Sequence, residues 1–167
     1  MDALHGSSRQ CFQKALKLLA RRDYSIKDLE DKLKSSGFLP SQVEEAVSKC
    51  KGLNYLNDDR FSEEFILQYR RKGFGPLHIK QKLKSKGLNI DIITESLAKN
   101  YCRSEELDAC KRVLAKKLRV TSDHIMGSKK KASLFRFLMG RGFHADVVRQ
   151  VLDDYRIDGD GTPNEVR

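Results

Sequence analysis

Apolar residues recur along the chain at a spacing of four on either side of three glycines. The stretches LKSSGF at 33–38, LKSKGL at 83–88 and LMGRGF at 138–143 align on Gly37, Gly87 and Gly142. Four and eight residues before these glycines lie Leu33 and Leu29, Leu83 and Ile79, Leu138 and Leu134. Six and ten residues after them lie Val43 and Val47, Ile93 and Leu97, Val148 and Leu152. A spacing of four puts successive apolar side chains on one stripe of a helix. Glycine suits the left-handed residue that ends a helix, because it carries no Cβ to clash there. Each stretch therefore predicts a helix, a glycine stop and a second helix.

A further helix is predicted ahead of each pair. Its apolar positions are Phe12, Leu16 and Leu19 in the first unit and Phe61, Phe65 and Tyr69 in the second. In the third unit Leu107, Val113, Leu114 and Leu118 take this part less regularly. Ser41 with Glu44 reads as a capping box, Asp58 and Asp59 open a helix, and Pro76 suits a first helical turn. Glu105 and Glu106 complement the positive N-terminal end of another helix. Residues 7–22, SSRQCFQKALKLLARR, have the acid-free look of a transit peptide but fit the repeat, and are read as a structural helix. Strand signals are nearly absent.

The glycine spacings are 50 and 55 residues, a period that marks an array of supersecondary units. The expected fold is all-α, with tandem three-helix units stacked into an elongated, curved body. The expected units are 8–56, 57–102 and 103–155, followed by a flexible acidic tail at 156–167. The five extra residues of the third unit are placed in 119–130, read as a loop or broken helix.

Charge turns this scaffold toward a partner. The 167 residues hold 33 Lys+Arg against 23 Asp+Glu, a net charge of +10. Residues 153–167 contribute −3, so the first 152 carry +13. A pI of about 9.5 points toward polyanions. Three clusters hold no acid: 68–86 with Arg70, Arg71, Lys72, Lys80, Lys82, Lys84 and Lys86; 111–119 with Lys111, Arg112, Lys116, Lys117 and Arg119; and 129–141 with Lys129, Lys130, Lys131, Arg136 and Arg141. A solvated helix usually interleaves Glu with Lys, whereas here acids such as Glu44, Glu45, Asp58, Asp59, Glu63 and Glu64 stand apart. Residues Arg70, Arg71, Lys72, Lys80, Lys84, Lys111, Arg112, Lys116, Lys117, Lys129, Lys130, Arg136 and Arg141 are the expected contact residues. Pro76 behind Gly73 and Gly75 could offer free amides to a phosphate, although a simple tight turn is the favoured reading.

Other chemistry finds little support. Cys11, Cys50, Cys102 and Cys110 form no CxxC pair, so reduced thiols are expected and no metal or cofactor. The acidic pairs Glu44–Glu45, Asp58–Asp59, Glu63–Glu64, Glu105–Glu106 and Asp153–Asp154 are adjacent and split around their helices, so they cannot converge on one bond. There is no Walker loop, dinucleotide fingerprint or nucleophile elbow, and no catalysis is expected. His78 reads as a surface or groove residue, and His124 and His144 as loop or cap residues. The aromatics Phe12, Phe38, Phe61, Phe65, Tyr69, Phe74, Phe135 and Phe143 read mostly as core packing. No apolar run approaches the ~18 residues of a membrane span.

The stretch LNDDRFSEEFILQYRRKGFGPLHIKQKLKSKGL at 56–88 resembles the central repeat of the RecX family, bacterial regulators of the RecA recombinase. The resemblance rests on Asp58-Asp59-Arg60-Phe61, the turn from Arg71 to Pro76, and Ile79, Leu83, Lys86 and Gly87. Ala15-Leu16, Leu18-Leu19, Arg22, Ser25, Leu29, Leu33 and Gly37 of the first repeat are similar, as is KASLFRFLMGRGF at 131–143. It implies a modular, cytoplasmic, non-enzymatic protein of DNA repair and the SOS response, expected to be a monomer. Such a protein binds RecA filaments on single-stranded DNA, lies in the filament groove, and limits filament extension, strand exchange and co-protease activity. The residues alone leave a rival open: a free-standing basic helical-repeat binder of nucleic acid. A helical adaptor for an unrelated acidic protein is the third reading.

Overall fold

The glycine stops set the helix boundaries. In the computed structural model, which describes residues 7–120 and 128–155, Gly37, Gly87 and Gly142 have φ of +89°, +77° and +86°. The residue after each glycine closes the helix backwards: the Phe38, Leu88 and Phe143 amides donate to the carbonyls of Leu33, Leu83 and Leu138. This is the Schellman pattern, which satisfies carbonyls that a helix end would leave bare. Gly73, with φ +80°, makes a fourth such stop.

Nine helices lie among the described residues: α1 (Ser8–Leu19), α2 (Ile26–Lys34), α3 (Pro40–Gly52), α4 (Asp58–Arg71), α5 (Pro76–Ser85), α6 (Ile90–Asn100), α7 (Arg103–Val120), α8 (Ser128–Gly140) and α9 (Ala145–Asp154). No strand occurs among them. The chain divides into two compact units, and the division passes through α4, α5 and α6. The first comprises residues up to Phe65 with Lys82–Ser96, and the second Ile66–Gln81 with everything from Leu97 onward.

In the first unit α1 and α2 pack on α3. The core joins Leu29 and Leu33 of α2 to Val43 and Val47 of α3, as the spacing predicts, with Cys11, Ala15 and Leu18 from α1. The buried stripe of α1 is thus displaced by one residue from Phe12, Leu16 and Leu19, which are half-buried. Each fully buried aliphatic side chain contributes about 1.5–3 kcal/mol. The capping box expected at Ser41 and Glu44 is not formed. Pro40 already stands in the first turn, and the Leu39 amide donates to Gln42 Oε1 at 3.0 Å, so the helix starts earlier. A reciprocal cap does occur on α1, where Ser7 and Gln10 exchange hydrogen bonds.

The second unit is built on α7, α8 and α9, with the C-terminal part of α4 and the N-terminal part of α5. Leu134, Leu138, Phe143, Val147, Val148, Val151 and Leu152 are buried there. Within α7 the buried positions are Glu106, Ala109, Cys110 and Leu114, while Leu107, Val113 and Leu118 are half-buried. The stretch read as a loop at 119–130 is narrower at both ends, because α7 continues to Val120 and α8 begins at Ser128. Residues 121–127, with His124, and the tail 156–167 lie outside the described residues.

One junction occurs in each unit. In the first, the start of α2 meets the end of α5: Ser25 Oγ donates to the Lys86 carbonyl at 2.8 Å, and the Lys27 side chain covers Gly87. In the second, the start of α5 meets the end of α8. Gly75 and Leu77 amides donate to the carbonyls of Arg141 and Gly142 at 2.8 and 3.0 Å. The positions correspond, since Ser25 and Gly75 both precede a helix and Lys86 and Arg141 both precede a glycine stop. Here backbone lies directly on backbone, and a Cβ on Gly75 would sit 2.3 Å from the Gly142 oxygen. The Gly75 and Leu77 amides are therefore engaged within the protein, and the tight-turn reading of residues 73–76 is the one the geometry supports.

Candidate functional site

The fold sorts the cations into three kinds. Some regain the acids that the sequence kept apart. Arg70 Nη1 donates to Glu105 at 2.5 Å and to the Asn100 carbonyl at 2.8 Å. Glu105 also accepts from the Cys102 amide at 2.9 Å, so it caps α7 and holds Arg70 together. That backbone hydrogen bond, aided by Arg70, keeps the Glu105 carboxyl below its ordinary range. Lys86 pairs with Asp28, Arg103 with Asp146, Lys131 with Asp153 and, at 3.9 Å, Lys111 with Asp154. Arg70 and Lys111 of the expected contact residues are thus engaged internally, Lys111 weakly because both partners are half exposed.

A second group has no ion pair among the described residues. Arg71, Lys84, Arg112, Lys116, Lys129 and Arg136 are exposed, while Lys80 is half-buried. Lys130, half-buried near the start of α8, does not belong to this group. Lys84 belongs to the first unit and the others to the second.

The third kind faces aromatic rings: Arg22 and Lys49 lie over Tyr24 and Phe12 in the first unit, and Arg141, Lys117 and Lys72 of the expected contact residues lie over rings in the second. The Arg141 guanidinium lies 5.1 Å from the Phe74 ring centroid and 5.4 Å from that of Phe137. Lys117 Nζ lies 5.2 Å from the Phe137 centroid, and Lys72 Nζ 4.9 Å from that of Tyr69. Tyr69 and Phe74 are 5.5 Å apart, and His78 stacks on Phe74 at 4.3 Å. Sequence reasoning placed Tyr69 and Phe74 in the core and did not single out Phe137. Phe61, Phe65 and Phe143 are buried as expected, whereas Phe12, Phe38, Tyr69, Phe74 and Phe135 are only half-buried. A usable signal was present: Phe137 precedes Arg141 by four residues and Tyr69 precedes Lys72 by three, the spacings that face each other on a helix.

The remaining polar groups serve the fold. His144 stands at the N-cap position of α9 without a side-chain bond to that helix; its amide donates to Glu106 Oε1 at 2.8 Å and its ring Nδ1 lies 2.9 Å from Oε2. Asp58 accepts from the Ile26 amide at 2.9 Å, so an acid at the start of α4 caps α2. Its burial raises its carboxyl above the usual range, against the lowering effect of that hydrogen bond. Burial, helped by Glu106, pushes the Cys110 thiol up to about 12, and burial raises Cys11 and Cys50 as well. All four cysteines are free, and Cys102 alone is exposed. No described helix is long and apolar enough to cross a membrane.

Comparison with known proteins covers nearly all of this framework. The models of the first, second and third three-helix domains of RecX match residues 11–50, 57–97 and 104–152. The regulatory protein RecX of Legionella pneumophila (strain Corby) is 36% identical over 147 residues, covering 88% of this chain and 95% of its own. That of Actinobacillus pleuropneumoniae serotype 5b (strain L20) is 31% identical over 144 residues, covering 84% and 89%. A crystal structure of RecX from Lactobacillus salivarius superposes with a TM-score of 0.78 at 22% identity, covering 88% of this chain and 95% of that one. Another crystal structure of a regulatory protein RecX gives 0.77 at 19% identity, covering 87% and 71%.

Proposed function

The chain belongs to the RecX family of regulatory proteins, and we propose that it binds RecA filaments assembled on single-stranded DNA and restrains them. On this reading it works in the cytoplasm as a monomer, within DNA repair and the SOS response, and breaks no bond. It occupies the filament groove and so blocks filament extension, strand exchange and co-protease activity. The modules 8–56, 57–102 and 103–155 are its functional divisions. The observation that carries the reading is a set of cations that the fold leaves unneutralised on a scaffold of the family's three-module type. Arg71, Lys72, Lys80, Lys84, Arg112, Lys116, Lys129, Arg136 and Arg141 have no carboxylate partner among the described residues. Charges that stay unpaired inside the protein remain available to phosphates or to acidic protein surface.

The test is retention on recombinase filaments, on bare single-stranded DNA and on recombinase alone. Retention by the assembled filament above both controls is expected. Equal retention by bare DNA would instead favour a free-standing nucleic-acid binder. A change of Arg71, Lys80 and Lys84 together to Glu should abolish filament inhibition with helicity intact. Arg70 is left out of that set because Arg70→Glu would face Glu105 and disturb the start of α7.

A further inference from the structure

The two internal junctions follow one rule: the start of the second helix of a module covers the glycine stop that ends the second helix of the next module. The start of α2 lies on the end of α5, with Ser25 Oγ donating to the Lys86 carbonyl and the Lys27 side chain over Gly87. The start of α5 lies on the end of α8, with the Gly75 and Leu77 amides donating to the Arg141 and Gly142 carbonyls. A third stop of the same geometry, Gly37 at the end of α2, has no such cover. Its φ is +89°, and a Cβ built there meets nothing within 4 Å. The residue behind each stop records the difference. Leu88 and Phe143 are buried, whereas Phe38 is half-buried and the adjacent Leu39 is 41% exposed. The matching start is bare at the other end of the series. Pro76, the first residue of α5, is buried and Ile26, the first of α2, is half-buried, but Ser128, the first of α8, is exposed together with Lys129.

We propose that a second copy of this chain covers the Gly37 stop with the start of its α8, so that chains follow one another head to tail by repeating the junction each already makes twice. The occupant is read from the chain itself. Both covered stops are covered by the start of a second helix, and α8 has the one such start that is exposed among the described residues. The direction agrees as well, from the last module of one chain to the first module of the next. Such a contact joins different surfaces of two copies and can continue from chain to chain. Lys129 is the second residue of α8, as Lys27 is of α2, and a cation placed over a stop faces the negative end of a helix. Lys32 and Lys34 in the last turn of α2 bring like charge, which keeps the contact weak between free chains. The free chain is therefore a monomer, and the junction forms where a common template holds copies at an effective concentration of about 1 mM. The template is the filament of the reading above, on which this part of the proposal rests.

The experiment is crosslinking between two full-length variants in a Cys102→Ser background, since the other three thiols are buried. One carries Ser35→Cys beside the stop and the other Ser128→Cys at the start of α8, both exposed positions. A short bismaleimide is added to the mixture on recombinase filaments and, without filaments, at about 1 mM chain. A mixed dimer is expected in both settings, and far less of it when Gln150→Cys, exposed on α9, replaces Ser128→Cys. Gly37→Ala should remove the mixed dimer, because a Cβ at a covered stop strikes its cover. At Gly142 it would lie 2.4 Å from the His78 amide nitrogen. A yield no higher than with Gln150→Cys, or one that survives Gly37→Ala with helicity retained by circular dichroism, overturns the proposal. Weaker filament retention of Gly37→Ala when chains are too sparse to meet would assign the stop to recombinase and overturn it too. Co-sedimentation of the wild-type chain with filaments is scored separately. Its failure removes the filament reading, and the 1 mM mixture then decides the junction alone.

Discussion

Single atoms decide more here at the glycines than anywhere else. Gly37 and Gly142 share a left-handed backbone, but their surroundings differ. A Cβ at position 37 would meet nothing within 4 Å, whereas at 142 it would lie 2.4 Å from the His78 amide nitrogen. Gly37→Ala should therefore cost only the conformational penalty, about 1–2 kcal/mol. Gly142→Ala should cost clearly more, and so should Gly75→Ala, which has ordinary φ but strikes backbone; urea midpoints of the three variants check the order. Thiols make a second contrast. Burial keeps Cys11, Cys50 and Cys110 protonated and covered, while Cys102 is exposed. Iodoacetamide should modify Cys102 in the native protein and the other three only in denaturant, as peptide mass spectrometry would show.

At the scale of helices, ends matter as much as stripes. The Asp58 carboxylate reaches from one helix to cap the next, so Asp58→Ala would leave the Ile26 amide without its partner. A loss of about 1–3 kcal/mol is expected by chemical denaturation. Acid acts on other ends. Glu105 and Asp146 have carboxyls held low, Glu105 chiefly by the Cys102 amide and Asp146 chiefly by Arg103. A lowered folded-state value means stability present above the unfolded range and lost as pH falls through the folded one. Asp58, raised by burial, works in the opposite sense and gains on protonation. The difference in urea midpoint between wild type and Glu105→Gln should accordingly be full at neutral pH and narrow as pH falls below the ordinary carboxylate range. The glycine stops, the stripes beside them and Pro76 were legible in the sequence, because helix period and left-handed caps are local properties. The start of α3 was misread because Pro40 and Gln42 outcompeted a standard Ser–Glu pattern. The stripe of α1 was misread by one step because Cys11 and Ala15 are small and lie beside bulkier apolar neighbours that invited the assignment.

For the molecule as a whole, counting charges leads to the expectation of an anion-facing protein but does not say which cations lack a carboxylate partner. That sorting depends on groups far apart in sequence: Glu105 turns Arg70 inward, while Phe74 and Phe137 hold Arg141 without neutralising it. No local window contains both members of the Arg70–Glu105 or Arg141–Phe74 pairs, so the acid-free clusters overstated some positions and hid the rings. Affinity for a polyanion should accordingly follow the unpaired cations rather than the net charge. Gln substitution of Arg103, Lys131 and Lys86 together should change oligonucleotide affinity less than Gln substitution of Lys72, Lys116 and Arg141, as anisotropy at one fixed salt concentration would show.

The two junctions carry a consequence of another kind. At Gly75 and Gly142 the coupling is made by amides, carbonyls and a bare Cα, so almost any amino-acid sequence with correctly spaced glycines could form it. Gly37 presents the same stop with its Cβ direction open. Such a chain could lengthen by duplication of a whole segment, because the copy would arrive with its plug and its socket already matched, and side chains would be left to diversify toward whatever they grip.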